Sequence, residues 1–297
     1  MRSGFVAIVG RPNDGKSTLL NAMVGTKVSI TSPRPNTTRF SVRGVLHGTD
    51  AQAVFVDTPG LHKPRNALGD RLNDTAMAQL RDVDVVIAVL DAAAPVGPGD
   101  RLVLANALGA LSNSDTGGLL VAVNKVDRAR RDQVLERLSE SAATVEELGA
   151  GSGAAKATEY FPIAATTGEG VGVLVEAVLG LLPEGPAYFP PEMVSDLPET
   201  IVVAELVREQ LLARAREELP HSIACVVSEW EWPRIRCEIL VERESQKRIV
   251  IGAGGEVLKD VGTAVRAQLP EGAYLELFVR VEPRWQQRAE ALDRLGY

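Results

Sequence analysis

Residues Gly10 to Ser17 read Gly-Arg-Pro-Asn-Asp-Gly-Lys-Ser, the glycine, lysine and hydroxyl spacing of a phosphate-binding loop. Such glycines let backbone N–H groups close around phosphate oxygens, the lysine reaches the β- and γ-phosphates, and the neighbouring hydroxyl meets a magnesium ion at a helix N-terminus. The chemistry implied for Gly10, Gly15, Lys16, Ser17 and Thr18 is therefore binding of a magnesium nucleoside triphosphate. Asp57-Thr58-Pro59-Gly60 adds a carboxylate able to hold the metal through water and a glycine N–H able to sense the γ-phosphate. Asn124-Lys125-Val126-Asp127 adds the base, because an aspartate accepts two hydrogen bonds from the N1 and N2 edge that guanine has and adenine lacks. Each tetrapeptide alone is a common strand-end turn; in this order after a phosphate-binding loop they point to GTP.

Each cluster follows a short apolar run, Phe5 to Val9, Ala53 to Val56 and Leu119 to Val123, so the chemistry is carried on strand ends. Strands and amphipathic helices alternate as far as Leu182, which predicts an α/β GTPase fold with a doubly wound, mostly parallel sheet over residues 1–182. Residues 183–198 are proline-rich and predict an extended linker. Residues 199–297 predict a second, α+β domain. A helix over 200–219 places Val203, Leu206, Val207, Leu211 and Leu212 on one face, and strands follow at 222–229 and 234–242. A helix, the loop Gly252-Ala253-Gly254-Gly255, another helix and a strand close the order of a type II KH domain, whose Gly-x-x-Gly loop clamps about four single-stranded nucleotides. Lys247, Arg248 and Lys259, with Arg243, form a basic lip beside that loop or, alternatively, an ordinary solvated surface.

Length and charge narrow the class. At 297 residues the chain exceeds one ordinary core, and its net charge of −7 argues against bulk attraction to nucleic acid or anionic lipid. The second domain is also slightly acidic, so an RNA would have to be recognised locally. No apolar run of about 18 residues and no signal peptide are visible, and a soluble, cytoplasmic protein is expected. Cys225 and Cys237 lack metal-type spacing and are expected to be buried thiols; His47, His62 and His221 are scattered and form no cluster.

The phosphate-binding loop, Thr37-Thr38-Arg39, Asp57-Thr58-Pro59-Gly60-Leu61-His62, Asn124 to Asp127, Glu218-Leu219-Pro220-His221-Ser222 and Arg243-Glu244-Ser245-Gln246-Lys247 together resemble the Era family of bacterial GTPases over nearly the whole chain. The resemblance implies GTP hydrolysis in the first domain and binding of the 3′ end of 16S ribosomal RNA by the second. It also implies a role in maturation of the 30S subunit, and a peripheral association with the inner membrane. It assigns Ser17 and Thr38 to magnesium, with Asp57 acting through water, and Thr37 is the alternative switch hydroxyl. Lys16, Asn13, Thr38 and Gly60 form the implied catalytic set, with a potassium ion held partly by Asn13. Ala164-Ala165-Thr166 stands where the family reads Ser-Ala-x, a loop whose backbone N–H meets the guanine oxygen.

The chain departs from the pattern at two further positions, Asp14, where a small or apolar residue is usual, and Ala253, where a lysine is common. Leu61 stands where many small GTPases carry a water-orienting glutamine, a substitution normal for the Era-like group. Asp14 is expected to repel the triphosphate and Ala253 to weaken RNA binding. Two alternatives stay open at this level: a GTP-gated binding module with negligible hydrolysis, and a GTPase whose second domain binds protein.

Overall fold

The computed structural model describes residues 1–34, 37–60, 66–80, 83–111, 117–150, 158–214 and 222–297. Leu61, His62 and the motif over 218–221 lie outside the described residues. The chain divides into two compact units, one drawn from 1–31, 38–63 and 72–196, the other from 32–37, 64–71 and 197–297.

The first unit is built on six strands: β1 Arg2–Gly10, β2 Val42–His47, β3 Ala51–Asp57, β4 Val85–Asp91, β5 Gly118–Asn124 and β6 Thr158–Pro162. Their order is β2-β3-β1-β4-β5-β6, with only β2 antiparallel to its neighbour. The central strands are continuous Val, Ile, Leu and Ala runs because parallel strands are covered on both faces, and Val6 to Val9, Val85 to Leu90 and Leu119 to Val123 are all buried. Helices α1 Lys16–Val24, α2 Ala67–Ala78, α3 Pro98–Leu111 and α4 Arg131–Gly149 lie in the connections between strands, and α5 Val171–Leu181 follows β6. Register brings the chemistry to one edge: Ile8 lies opposite Asp57, Gly10 opposite Val89, and Asp91 opposite Asn124. Since the strand order reverses on either side of β1, the crevice beyond these carboxyl ends is where an open α/β sheet binds its ligand.

Residues 183–198 contain no helix, and most of them are strapped onto the first unit. Ser3 N–H donates to the Pro183 carbonyl at 2.9 Å, and Val45 N–H to that of Val194 at 2.9 Å. Gln52, 1% exposed, receives the Tyr188 N–H at 2.7 Å and donates to the Phe189 carbonyl at 2.8 Å. The prolines hold this segment extended and remove donors that would otherwise need partners.

The second unit contains α6 Glu199–Arg214, β7 Ala224–Glu231, β8 Arg234–Val241, α7 Glu244–Ile251, α8 Glu256–Arg266, β9 Tyr274–Val281 and α9 Ala289–Leu295. Strand β8 is central, antiparallel to β7 and parallel to β9. Val203, Val207 and Leu211 of α6 meet Ile235, Cys237, Ile239, Val250, Val261 and Val265 in one core. Cys225 and Cys237 are free and buried, and burial pushes the Cys225 thiol up, so it packs as an apolar side chain.

Candidate functional site: a phosphate-binding loop and a Gly-x-x-Gly loop

The phosphate-binding loop leaves β1 and feeds α1 at Lys16, so the free N–H groups of the first helical turn open onto it. Gly15 has φ +97°, and a Cβ there would lie 2.4 Å from Asn124 Nδ2, so conformation and space both demand glycine. Lys16 is 6% exposed, its ammonium donating to the Gly10 carbonyl at 3.1 Å and the Arg11 carbonyl at 2.9 Å. Burial lowers its pKa, against the opposing pull of Asp57 and Asp14.

Asp14 does not behave as a carboxylate facing the phosphate site. It is 5% exposed and turned back on its own loop, accepting the Arg11 N–H at 2.8 Å. Desolvation raises its pKa from 3.8 to about 6, against Lys16 and the Arg11 hydrogen bond. The expected direct clash with a triphosphate is thereby replaced by a buried charge beneath the loop.

Beside the loop, three hydroxyls converge on one oxygen. Ser17 Oγ donates to Asp57 Oδ2 at 2.6 Å, Ser29 Oγ at 3.1 Å and Thr38 Oγ1 at 3.3 Å, and Thr38 Oγ1 lies 2.8 Å from Ser17 Oγ. Thr37 Oγ1 donates instead to the Arg34 carbonyl at 2.7 Å, so Thr38 is the threonine brought to this cluster. Asp57 is fully buried, and its Oδ1 has no hydrogen-bond partner among the described residues. Desolvation pushes its carboxyl up, while Lys16 and the three hydroxyls pull it down. An orphaned carboxylate oxygen beside two more hard oxygen donors fits a magnesium ion, held by Ser17 and Thr38 and, through water, by Asp57. Gly60 is also buried here; a Cβ on it would stand 3.0 Å from Pro12 N, so the loop after β3 packs against the phosphate loop.

Residues Asn124 to Asp127 make different contacts. Asn124 is 2% exposed, donating from Nδ2 to the Asp14 carbonyl at 2.8 Å and accepting the Ala165 N–H at 3.0 Å. It ties the phosphate loop to the Ala164-Ala165-Thr166 loop, in which Ala164 and Ala165 are buried and Thr166 is exposed. Lys125 takes φ +69° and donates to the Asn13 carbonyl at 2.6 Å and to Asp91 Oδ2 at 2.7 Å. Asp127 lies on a single turn over Val126–Arg128, its carboxylate 3.7 Å from Arg128 Nε. Asn13 is exposed with φ +72°. Sequence reasoning missed Asp91 and Ser29. Asp91 carries the same signal as Asp57, an aspartate ending an apolar run; nothing local marks Ser29.

In the second unit, Gly252 has φ +77°, and a Cβ would meet Val257 Cγ2 at 2.5 Å, locking the loop onto α8. Gly254 (φ +59°) and Gly255 (φ +82°) open onto free space. Ala253, Gly254, Arg248 and Lys259 are exposed and Lys247 is half-buried, so cations flank the backbone opening. Gln246 fixes the start of α7, accepting the Arg243 N–H at 3.0 Å and donating to Ser222 Oγ at 2.8 Å.

Comparison with known proteins agrees with this geometry. The family described as 50S ribosome-binding GTPase matches residues 5–125, and the KH domain family matches residues 218–286. The chain is 44% identical over 308 aligned positions to the GTPase Era of Mycobacterium avium, covering 100% of this chain and 99% of that one. It is 45% identical to the GTPase Era of Mycobacterium sp. strain KMS, with the same coverage. Two solved structures, a variant of Aquifex aeolicus Era bound to GDP·AlF4− and an Era in complex with MgGDPNP and nucleotides 1506–1542 of 16S ribosomal RNA, each superpose with a TM-score of 0.90 at 38% identity, over 100% of this chain and 99% of theirs. With full-length identity above 40% to curated relatives and both domain families in place, the chain belongs to the Era family of GTPases.

Proposed function

We propose that the protein binds and hydrolyses GTP in its first unit, binds the 3′ end of 16S ribosomal RNA with its KH domain, and assists maturation of the 30S subunit. The observation that carries the GTPase reading is the Asp57, Ser17 and Thr38 cluster at the strand ends, with the phosphate loop beside it. The RNA reading rests on the open Gly254 and Gly255 backbone between flanking cations, and on the RNA bound by the related Era.

Hydrolysis is in-line attack of water on the γ-phosphorus: the new P–O bond forms as the bond to the β–γ bridging oxygen breaks, and the water's protons pass to phosphate oxygens and solvent. Catalysis comes from positioning and charge stabilisation. Lys16 leaves its two loop carbonyls for the β- and γ-oxygens, and the α1 N–H groups hold the phosphates beside it. Thr38 and the Gly60 N–H bracket the γ-phosphate. Asp127 holds the guanine edge, Lys125 and Asn124 support it, and the 164–166 loop encloses the base. Ser17 and Thr38, with Asp57 through water, would hold a magnesium ion, which would supply charge neutralisation at the β- and γ-phosphates. By the family resemblance, Asn13 would help hold a potassium ion supplying further positive charge. The family resemblance supports action in the cytoplasm, with a peripheral association at the inner membrane; no described helix is long and apolar enough to cross a bilayer.

The test is single-turnover GTP hydrolysis in potassium and in sodium, with a 16S 3′-terminal oligoribonucleotide titrated at two salt concentrations. GTP preference over ATP, faster turnover in potassium and salt-dependent RNA binding are expected. Absent hydrolysis would leave a GTP-gated binding module; absent RNA binding would transfer the second unit to a protein partner.

A further inference from the structure

Three hydroxyls, those of Ser17, Ser29 and Thr38, converge on Asp57 Oδ2, whereas Oδ1 of the same carboxyl has no partner among the described residues. An ionised carboxylate oxygen accepts about two hydrogen bonds, so one oxygen is crowded while the other is bare. In a side chain that is 0% exposed, a bare oxygen is costly unless a ligand meets it. Ser17 and Thr38 are the hydroxyls that fit magnesium. Ser29 lies outside that set and is itself buried. All four residues belong to the first unit.

The local fold accounts for where Ser29 stands. Helix α1 ends at Val24, and Gly25, with φ +79°, turns the chain back. Asn21, in the last turn of that helix, catches the returning segment. Its Oδ1 accepts the N–H groups of Val28 and Ser29, each at 2.9 Å, and its Nδ2 donates to the Ser29 carbonyl at 2.8 Å. Both backbone polar groups of Ser29 are thereby tied to α1, and its short side chain reaches Asp57 at the end of β3. With the backbone fixed, the hydroxyl has only the three staggered wells of one side-chain bond to choose from. We propose that Ser29, held by Asn21, is the positioning residue for Asp57: it grips Oδ2 and so keeps Oδ1 turned to the water through which Asp57 would hold magnesium. Ser17 and Thr38 must give lone pairs to the metal, whereas the grip of Ser29 needs neither metal nor nucleotide. Without its hydroxyl the Asp57 carboxyl turns more freely, while Lys16 and the loop N–H groups still meet the phosphates. The inference rests on the GTPase reading above.

The experiment uses the full chain and a fluorescent GDP, first in EDTA and then titrated with magnesium chloride. Ser29→Ala is expected to bind GDP in EDTA within about twofold of the parent, and to need about tenfold more magnesium to half-saturate the GDP complex, the order of one hydrogen bond to a charged group. Ser29→Cys, whose thiol is a weaker donor, should fall between the two. Equal weakening of GDP binding with and without magnesium, or an unchanged magnesium requirement, would overturn the proposal, because a serine that merely packs would not separate metal from nucleotide. If Ser29→Ala does not fold, Ser29→Cys decides by the same two measurements, with a smaller shift in the same direction. Failure of the parent itself to prefer GDP over ADP would instead sink the guanine-nucleotide reading.

Discussion

Asp14 offers the sharpest quantitative test, because its carboxylate is buried beneath a loop that must receive a polyanion. Its pKa is raised from 3.8 to about 6, so the folded chain holds this proton more tightly than the unfolded chain does. The sign follows from that: the penalty is absent below about pH 3.8, grows through the interval to about 6, and is complete above it. A shift of roughly two units corresponds to about 3 kcal/mol at pH 8, and to about 1 kcal/mol at pH 4.5. Asp14→Asn keeps an oxygen to accept the Arg11 N–H and removes the charge. It should therefore be more stable than the parent, with the advantage widening by about 2 kcal/mol between pH 4.5 and 8. All three tryptophans, Trp230, Trp232 and Trp285, lie in the second unit, so urea unfolding should be followed by circular dichroism. The same variant should bind GTP more tightly at pH 8, since the phosphates and the carboxylate no longer repel across the loop. Parallel pH profiles for parent and variant would refute the reasoning, showing that Asp14 is not ionised at a cost in the folded state.

Three further outcomes are expected. Gly15→Ala forces a strained φ of +97° and a Cβ 2.4 Å from Asn124 Nδ2, so guanine nucleotide affinity measured by fluorescence titration should fall more than about tenfold; an unchanged affinity would mean the loop relaxes freely. Asp127→Asn should move preference from GTP toward xanthosine triphosphate in a competition assay, because an amide can donate where the carboxylate accepted; a variant that still prefers GTP would show another group reads the base. In the KH loop, Gly254→Asp should block phosphate approach by bulk and charge, whereas Ala253→Lys should strengthen RNA binding and steepen the log–log salt slope by about 0.7; both variants binding like the parent would reduce the loop to a helix connector.

Much of the site was legible in the sequence because its residues sit at fixed offsets from strand ends. The runs before Gly10, Asp57 and Asn124 are apolar and short, and parallel strands place their carboxyl ends together whatever the intervening loops do. The glycines at 252, 254 and 255 were equally readable as a loop between helices, and all three take positive φ. The direction of a side chain and the identity of a distant partner were not readable. Adjacent threonines 37 and 38 have the same local chemistry, and only the fold turns one hydroxyl to Asp57 and the other to Arg34. Asp14 reads as a carboxylate beside a triphosphate until burial and the Arg11 N–H turn it inward. Asn124 reads as a base contact, yet both of its amide atoms are taken by backbone from residues 14 and 165. Ser29 and Asp91 acquired their contacts in the same way, from neighbours that lie 28 and 34 positions away in the chain. Local sequence specifies periodicity, turn chemistry and motif spacing, each set within a few residues. Which polar atoms must satisfy one another is decided only when strands and helices from distant segments close around them and exclude water.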